Sequence, residues 1–264
     1  PVSNLTFKIF DHLYVLAASG MPYPEEYLYK NAALPKELIN QLAQDTKTPK
    51  YTITVTLSGP KPLIHCISKA LKKQLAAHTS KVIAINELKY VIAQKLKRFM
   101  PKYLQQKMTA LFYLWNFTQG IPSENALQFA YWRIGGLETL TASTNPAKDD
   151  CGIIWYAPII PFQAEAISEL KDMIQDICSQ YHINSMFNLT NYEGTYMIAL
   201  APIFFDKKTQ AKQAHACYKN LIETGLKKGI VPYRLASPAI QDVFDGKSLG
   251  EIIKKKLDPY SIIA

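Results

Sequence analysis

Gly152-Ile-Ile-Trp-Tyr-Ala157 is the stretch that decides the fold, together with the segments that follow it. The run is apolar and ends at Pro158, which predicts a buried strand. Apolar residues then recur at helical spacing from Ala164 to Tyr181, which predicts an amphipathic helix. After this helix the pattern predicts strands at Asn184–Leu189 and Tyr196–Asp206, and a long helix at Lys208–Lys228. The second half of the chain is therefore predicted to alternate strands with helices.

The first half of the chain shows a similar alternation, but less regularly. Tyr51–Ser58 alternates apolar with polar residues and predicts a half-buried strand. Pro62–His78 has one apolar stripe and predicts a helix, and Val82–Ile85 predicts a short strand. The first 50 residues are interrupted by prolines and are predicted to be irregular. We therefore predict an α+β fold: a largely antiparallel sheet covered by helices, mainly on one face, in a duplicated ferredoxin-like pattern.

The composition excludes several classes of protein. A chain of 264 residues with 48% hydrophobic and 19% charged residues is typical of a globular protein, and not of a disordered or fibrous one. No apolar run is long enough to span a bilayer and the start does not resemble a signal peptide, so no membrane partner is predicted. The net charge is +9, but most lysines occur at helical spacing among polar residues. This spacing is typical of solvated helix faces, so no nucleic-acid partner is predicted.

The four cysteines show no metal-binding spacing. Cys66, Cys151, Cys178 and Cys217 are far apart, without a Cys-x-x-Cys or His/Cys motif. Scattered cysteines of this kind are typical of free thiols in a reducing compartment. We therefore predict a cytoplasmic protein without a metal site.

Pro232-Tyr-Arg234 offers a candidate binding site at the end of the last long helix. The motif follows a turn at Lys227–Gly229 and places a phenol hydroxyl beside a permanent cation. Both side chains donate hydrogen bonds, so together they could hold a phenolate oxygen. A Tyr–Arg pair is also often a packed ring beside a solvated charge, and the two residues alone leave both interpretations open.

Several short motifs occur in an order and spacing that resemble one family. They are Gly120-Ile-Pro-Ser-Glu124, Tyr131-Trp-Arg133, Gly152-Ile-Ile-Trp-Tyr-Ala-Pro158, Ile203-Phe-Phe-Asp-Lys207, Pro232-Tyr-Arg234 and Leu257-Asp-Pro259. Each is weak alone, but the series covers most of the chain. The chain resembles the vanillyl-alcohol oxidase and 4-cresol dehydrogenase (p-cresol methylhydroxylase) family of FAD-linked oxidases, in its C-terminal cap-domain portion.

The resemblance implies a division into two parts. Residues 1–229 would be the cap, or substrate, domain, and residues 230–264 would be the C-terminal segment that returns to an FAD-binding domain. That FAD-binding domain is not found in this sequence. The resemblance therefore implies a partner domain on another chain or in a missing N-terminal region.

The resemblance also implies an activity and its site. The family oxidises para-substituted phenols by phenolate-assisted hydride transfer to FAD, with molecular oxygen or a cytochrome as electron acceptor. Tyr233 and Arg234 match the pair that holds the phenolate oxygen, and Trp155 matches a residue that faces the substrate. Ile153 occupies the position of the histidine that binds the flavin covalently in many members, so FAD would be held non-covalently. Trp155 could equally be an ordinary core residue of the cap.

Two other interpretations compete with this activity. The chain could be a truncated or degenerate fragment with no catalysis of its own, since the resemblance implies that the flavin-anchoring histidine is replaced and that the first part of the cap could be clipped. It could also be an RNA-binding module, since basic ferredoxin-like folds bind RNA. The second alternative requires a basic–aromatic strand motif that the sequence does not contain.

Overall fold

The computed structural model describes most of the chain. It covers residues 4–101, 115–122, 125–135, 145–192 and 194–235, with the separate positions 105, 108, 112, 254, 256–258 and 260. The sequence also predicts two short helices near its end, one from Pro238 and one at Leu249–Leu257. The first lies outside the described residues, as does most of the second.

One antiparallel sheet of six strands organises the structure. The strands are β1 (Asn4–Asp11), β2 (Tyr51–Ser58), β3 (Cys151–Pro161), β4 (Asn188–Tyr192), β5 (Tyr196–Asp206) and β6 (Pro232–Arg234). Their order across the sheet is β2-β1-β4-β5-β3-β6, and every neighbouring pair is antiparallel. The prediction of an α+β fold with an antiparallel sheet is confirmed.

Helices connect these strands. They are α1 (His12–Ala18), α2 (Glu25–Tyr29), α3 (Lys36–Asp45), α4 (Lys61–Leu75), α5 (Glu87–Leu96), α6 (Asn125–Ala130), α7 (Ala164–Gln180) and α8 (Ala211–Lys227). Two 3-10 turns, Lys97–Phe99 and Trp132–Ile134, follow α5 and α6. Helix α7 begins at the predicted residue. Helix α8 begins later than predicted, because the Asp206 carboxylate accepts from the backbone N–H groups of Lys208 and Thr209 and holds them in a turn.

The second half of the chain forms a complete ferredoxin-like unit. Its elements follow the order β3-α7-β4-β5-α8-β6, and its strands lie in the order β4-β5-β3-β6. The described part of the first half contributes β1 and β2, which extend the same sheet beyond β4. A single sheet therefore joins the two halves.

The main core lies between the sheet and the pair α7 and α8. Tyr156 and Met197 from the strands are fully buried there, against Ile174 of α7 and Leu221 of α8. The apolar stripe predicted for α7 faces this core, and the buried residues of α8 face it as well. We call it the helix-side core.

The opposite face of the sheet carries a second, more aromatic group of residues. Tyr23, Trp132 and Phe204 are buried there, and Phe129 and Ile153 pack against them. The rings of Tyr23 and Trp132 lie 4.9 Å apart in an edge arrangement, and those of Trp132 and Phe204 lie 5.5 Å apart. We call this group the aromatic cluster. Because α1 and the turn at Trp132–Ile134 cover it, helical segments lie on both faces, whereas the sequence pattern predicted them mainly on one.

Two local predictions in the first half were wrong. The first 50 residues were predicted to be irregular, but residues 4–11 form β1, which pairs along the whole length of β2, and α1, α2 and α3 follow it. Residues 82–85 were predicted to form a strand, but they have no regular structure. In β1 the alternation of Leu5, Phe7 and Ile9 is a strand signal, and the prolines that suggested irregularity all follow it.

The carboxylate of Asp11 ties the first half of the chain to the second. Its Oδ1 accepts from the backbone N–H of Tyr14 at 2.6 Å, which caps α1. Its Oδ2 accepts from the backbone N–H of Phe187 at 2.7 Å, just before β4. Burial raises the pKa of Asp11 to about 7, although these backbone donors oppose the shift. A group that connects the two halves therefore titrates near neutral pH.

We expect Asp11→Asn to reduce the pH dependence of stability. Folding raises the pKa of Asp11, so its contribution to the free energy of unfolding is greatest at low pH and falls as the pH rises toward about 7. The amide of asparagine does not titrate, so the variant should lose this decrease of the free energy of unfolding with rising pH. Urea unfolding of both proteins at about pH 5 and about pH 8 measures the difference. If the free energy of unfolding changed by the same amount between the two pH values in both proteins, the assignment of this titration to Asp11 would be wrong.

We expect Gly225→Ala to lower the free energy of unfolding by about 1–3 kcal/mol. A Cβ at Gly225 in α8 would lie 2.4 Å from the hydroxyl oxygen of Tyr156 and 3.2 Å from the carbonyl oxygen of Ile230. Tyr156 is fully buried, so its ring has little room to move. Glu223→Ala, at an exposed position of the same helix, is the control and should change stability by less than about 0.5 kcal/mol. Similar denaturation midpoints for the two variants would refute the close contact.

Candidate functional site

The edge strand β6 brings the Tyr–Arg motif onto the sheet. Arg234 lies opposite Ala157 in β3, and Pro232 lies opposite Pro158, with an irregular register between Ala157 and Pro158. Beyond the irregularity, the N–H of Ile159 donates to the carbonyl of Val231 at 3.0 Å. The sequence predicted the end of β3 at Pro158, but the strand continues to Pro161 because its last three residues pair with β5.

Arg234 and Trp155 lie on the same face of the sheet. Residues opposite each other in antiparallel strands point to one face, and so do alternate residues within a strand. Arg234 therefore shares a face with Ala157 and, two positions along β3, with Trp155. Such diagonal neighbours have Cβ atoms roughly 7–8 Å apart, within reach of long side chains. The register therefore sets Arg234 on the face of Trp155, whereas Tyr233, the adjacent residue of β6, points to the other face by the same alternation.

Trp155 is partly buried at the border of the aromatic cluster. Its ring centroid lies 6.1 Å from that of Phe129, which contacts Phe204 at 4.7 Å in an edge arrangement. One side of the indole is therefore packed, and part of the ring remains accessible. This half-buried position differs from that of the neighbouring residue, Tyr156, which is fully enclosed in the helix-side core.

Tyr156 has a structural role on the other face. Its hydroxyl is buried without a hydrogen-bond partner in the described part of the chain, and burial raises the pKa of the phenol. The sequence predicted that Trp155 and Tyr156 would point to opposite faces, with Tyr156 in the core, and the structure agrees.

Tyr233 and Arg234 are both exposed. Tyr233 retains 50% of its accessible surface, and neither side chain makes a hydrogen bond or ion pair with the described residues. Their five guanidinium N–H groups and one phenol O–H are therefore free to donate to a ligand. An acceptor with negative charge, such as a phenolate or carboxylate oxygen, is the chemical group that suits this pair.

Ile153 and Cys151 bear on how a flavin could be attached. Ile153 packs against the aromatic cluster and has no nucleophilic atom. Cys151 is buried, its thiol lies 3.7 Å from the carbonyl oxygen of Asp149, and burial raises its pKa to about 11. The thiol therefore stays protonated at neutral pH and is a poor nucleophile. Neither residue offers a covalent link.

Arg133 was not singled out as a site residue in the sequence, yet it is one of the unusual groups of this structure. It is 5% exposed, and its Cζ lies 4.6 Å from the centroid of the Tyr23 ring. Its Nη1 and Nη2 atoms have no hydrogen-bond partner within the described residues, and burial lowers its pKa. The ring face of Tyr23 offsets part of the cost of burying this charge. Arginine is rarely buried, so the sequence around Arg133 did not indicate that this side chain would be buried.

The described residues contain no group of three or more His, Cys, Asp or Glu side chains that could hold a metal ion. In the same part of the chain, no helix combines the length and apolar content needed to cross a membrane. The arrangement at β3 and β6 therefore consists of a ring, a phenol hydroxyl and a guanidinium.

Comparison with known proteins gives a consistent result for the fold. No protein-family model matches the chain. The chain is 25% identical over 207 residues to 1'-carboxy-chondrochloren decarboxylase from Chondromyces crocatus, a match that covers 74% of this chain and 37% of that protein.

Two solved structures have a similar fold. Substrate-bound p-cresol methylhydroxylase matches with a TM-score of 0.70 and 15% identity, over 96% of this chain and 44% of that one. The 4-ethylphenol oxidase of Gulosibacter chungangensis, in its isoeugenol complex, matches with a TM-score of 0.68 and 14% identity, over 98% of this chain and 52% of that one. The chain thus spans about half or less of the length of these relatives. The resemblance to the vanillyl-alcohol oxidase and 4-cresol dehydrogenase family is confirmed at the level of the fold, which is that of the matched part of these enzymes.

Proposed function

We propose that this chain is the cap, or substrate-binding part, of an FAD-dependent oxidoreductase that acts on para-substituted phenols. The observation that carries the proposal is the pairing of β6 with β3, which sets Arg234 on the same sheet face as Trp155. The fold supports it, because it matches p-cresol methylhydroxylase and 4-ethylphenol oxidase, whose names state phenolic substrates.

Tyr233 and Arg234 would act on the substrate's oxygen. The guanidinium carries a permanent charge and would donate to the phenolate from the face of Trp155. The Tyr233 hydroxyl points to the other face of β6, so it would reach the same oxygen only around the edge of that strand. This environment stabilises the anion and lowers the pKa of the bound phenol. The phenolate in turn releases electron density toward the para carbon, which favours departure of a hydride from the benzylic position.

Trp155 would position the aromatic ring of the substrate. Its accessible side lies on the face that Arg234 shares, and its other side is supported by Phe129. Contact with an aromatic ligand in an offset or edge arrangement contributes about 0.5–1.5 kcal/mol beyond the area buried. Residues 1–229 would then bind and orient the substrate, and residues from 230 onward would contribute the anion-binding pair.

The residues present are compatible with a flavin ring that is bound non-covalently, but they do not provide a site for the diphosphate of FAD. Ile153 has no atom that could form a covalent link, and the raised pKa of the Cys151 thiol disfavours one there, so both support non-covalent binding. The described glycines with positive φ are widely separated, so they do not form a phosphate-binding loop. When bound, FAD would accept the hydride. Its diphosphate would be held by an FAD-binding domain, on another chain or in a further part of this one, and electrons would pass on to oxygen or a cytochrome.

A fragment without catalysis of its own is the competing proposal. The chain covers 37–52% of the length of the proteins that it matches. The phenol site uses residues of this chain, whereas the redox step needs FAD. The two proposals therefore differ in whether the chain binds a flavin and whether it binds a phenol.

The absorbance of FAD mixed with the purified chain tests flavin binding. If one chain, or several copies that associate, form a complete flavin site, the visible absorbance bands of FAD should shift and the flavin should co-elute with the protein. Acid precipitation should release all of it, because no covalent link forms. A flavin that stays in the precipitate would contradict the assignment of Ile153 and Cys151. Absence of co-elution would assign the redox step to a missing domain.

Ionisation of a bound phenol tests the anion-binding pair independently of FAD. We expect the chain to lower the pKa of bound 4-hydroxybenzaldehyde, by about one unit for an adjacent cation, which its phenolate absorbance reports. Arg234→Ala should abolish the shift and weaken binding about tenfold or more. Arg98→Ala, which removes an exposed arginine elsewhere, is the control. If the pKa of the bound phenol shifted equally in both variants, Arg234 would not be part of the phenol site.

A further inference from the structure

The positive charge of this chain is concentrated in one segment. Residues 61–99 contain nine basic residues and one acidic residue, Glu87, so the segment accounts for eight of the nine net positive charges. The basic residues are Lys61, Lys69, Lys72, Lys73, Lys81, Lys89, Lys95, Lys97 and Arg98. We call residues 61–99 the basic segment. All of it lies within the described part of the chain.

Within the described part of the chain, none of these cations forms an ion pair with a carboxylate. The ion pairs formed among the described residues involve Lys30, Lys171, Lys208 and Lys219, which all lie outside the basic segment. Within the segment, Lys97 and Arg98 instead lie over the rings of Phe112 and Phe99. The segment therefore projects an uncompensated positive field into solvent.

The same segment exposes large apolar side chains. In α5, Leu88, Val91, Ile92 and Leu96 recur at helical spacing and form one stripe. Leu88 is 68% exposed, and Phe99, in the following turn, is 72% exposed. The other side of α5 is occupied, because Tyr90 contacts Phe112 and Trp115. The apolar stripe is thus the outward face of the helix.

Helix α4 has the same character. Neither α4 nor α5 contains a buried residue. In α4, Leu63 is exposed, and Ile67 and Leu71 are only half-buried beside the cations Lys72 and Lys73. Two successive amphipathic helices therefore present apolar and basic side chains together.

We propose that the basic segment binds the surface of an anionic lipid bilayer. Helices of this composition lie in the bilayer interface, with apolar side chains among the acyl chains and lysines at the headgroups. Each lysine near an anionic surface adds to the binding. The association is peripheral, and it is independent of the phenol site.

Other occupants suit the segment less well. A second copy of the chain would bring two fields of the same sign together. A protein partner, the proposed FAD-binding domain included, is less suited, because eight of the nine cations are lysines and protein interfaces are depleted in lysine. A nucleic acid would use the charges but not the exposed stripe of Leu88, Ile92 and Phe99. A bilayer satisfies both the charge and the apolar surface.

Vesicle flotation with the purified chain tests the proposal. We expect binding to vesicles of phosphatidylcholine with about 30% phosphatidylserine, at least tenfold weaker binding to phosphatidylcholine alone, and release at about 0.5 M salt. Lys72→Glu/Lys73→Glu and Leu88→Ser/Ile92→Ser should each weaken binding tenfold or more. These side chains are not buried, so folding should survive, and circular dichroism checks this.

The control variant carries the same change of charge elsewhere. Lys36→Glu/Lys212→Glu alters two exposed lysines outside the basic segment and should reduce binding less than threefold. Absence of vesicle binding, equal binding to neutral and anionic vesicles, or equal loss in control and test variants would overturn the proposal. Tighter binding to a single-stranded oligonucleotide or to polyglutamate, unaffected by the apolar variant, would overturn it in favour of a polyanion.

Discussion

The antiparallel pairing of β3 with β5 is the constraint on which the rest of the structure depends. The pairing runs from Cys151 opposite Asp206 to Pro161 opposite Tyr196. Because side chains alternate, this register directs Tyr156 to the helix-side core and Trp155 to the other face. A shift of the β3–β5 register by one residue would place Trp155 in the helix-side core and Tyr156 on the other face. The free edge of β3 then receives β6, so the same register decides where Arg234 lies.

Sequence pattern predicted the elements whose periodicity is local. The strand at Tyr51–Ser58 has its predicted bounds, and α7 begins at its predicted residue, Ala164. The end of β3 was missed because Pro158 is normally a strand terminator, whereas pairing with β5 extends the strand past it to Pro161. The candidate residues Trp155, Tyr233 and Arg234 could be chosen from the sequence. That Arg234 shares a sheet face with Trp155 could not be predicted, because it depends on a pairing between distant segments. The burial of Arg133 against Tyr23 also depends on tertiary contacts that no local pattern reports.

The two proposed binding regions differ in how they use charge. At β6, Arg234 would act through direct hydrogen bonds to one oxygen, at a distance where salt screens little. In the basic segment, nine cations act together through a field that salt reduces over about 10 Å. Ionic strength therefore separates the two interactions. A phenolate on Arg234 should remain bound at salt concentrations that release the chain from a bilayer.

The positive charge also bears on how the chain could bind a phenolate in solution. A field produced by the basic segment attracts any anion, and at low ionic strength it would raise the local concentration of phenolate near the whole chain. This attraction has no directional requirement and is screened by salt. By itself it would lower the pKa of a bound phenol only slightly, and the shift would disappear at high ionic strength. A shift that persists at high salt and disappears with Arg234 would have to come from contact. The location of the guanidinium on the face shared with Trp155, and not the net charge, is therefore the feature that makes a specific phenol site physically reasonable.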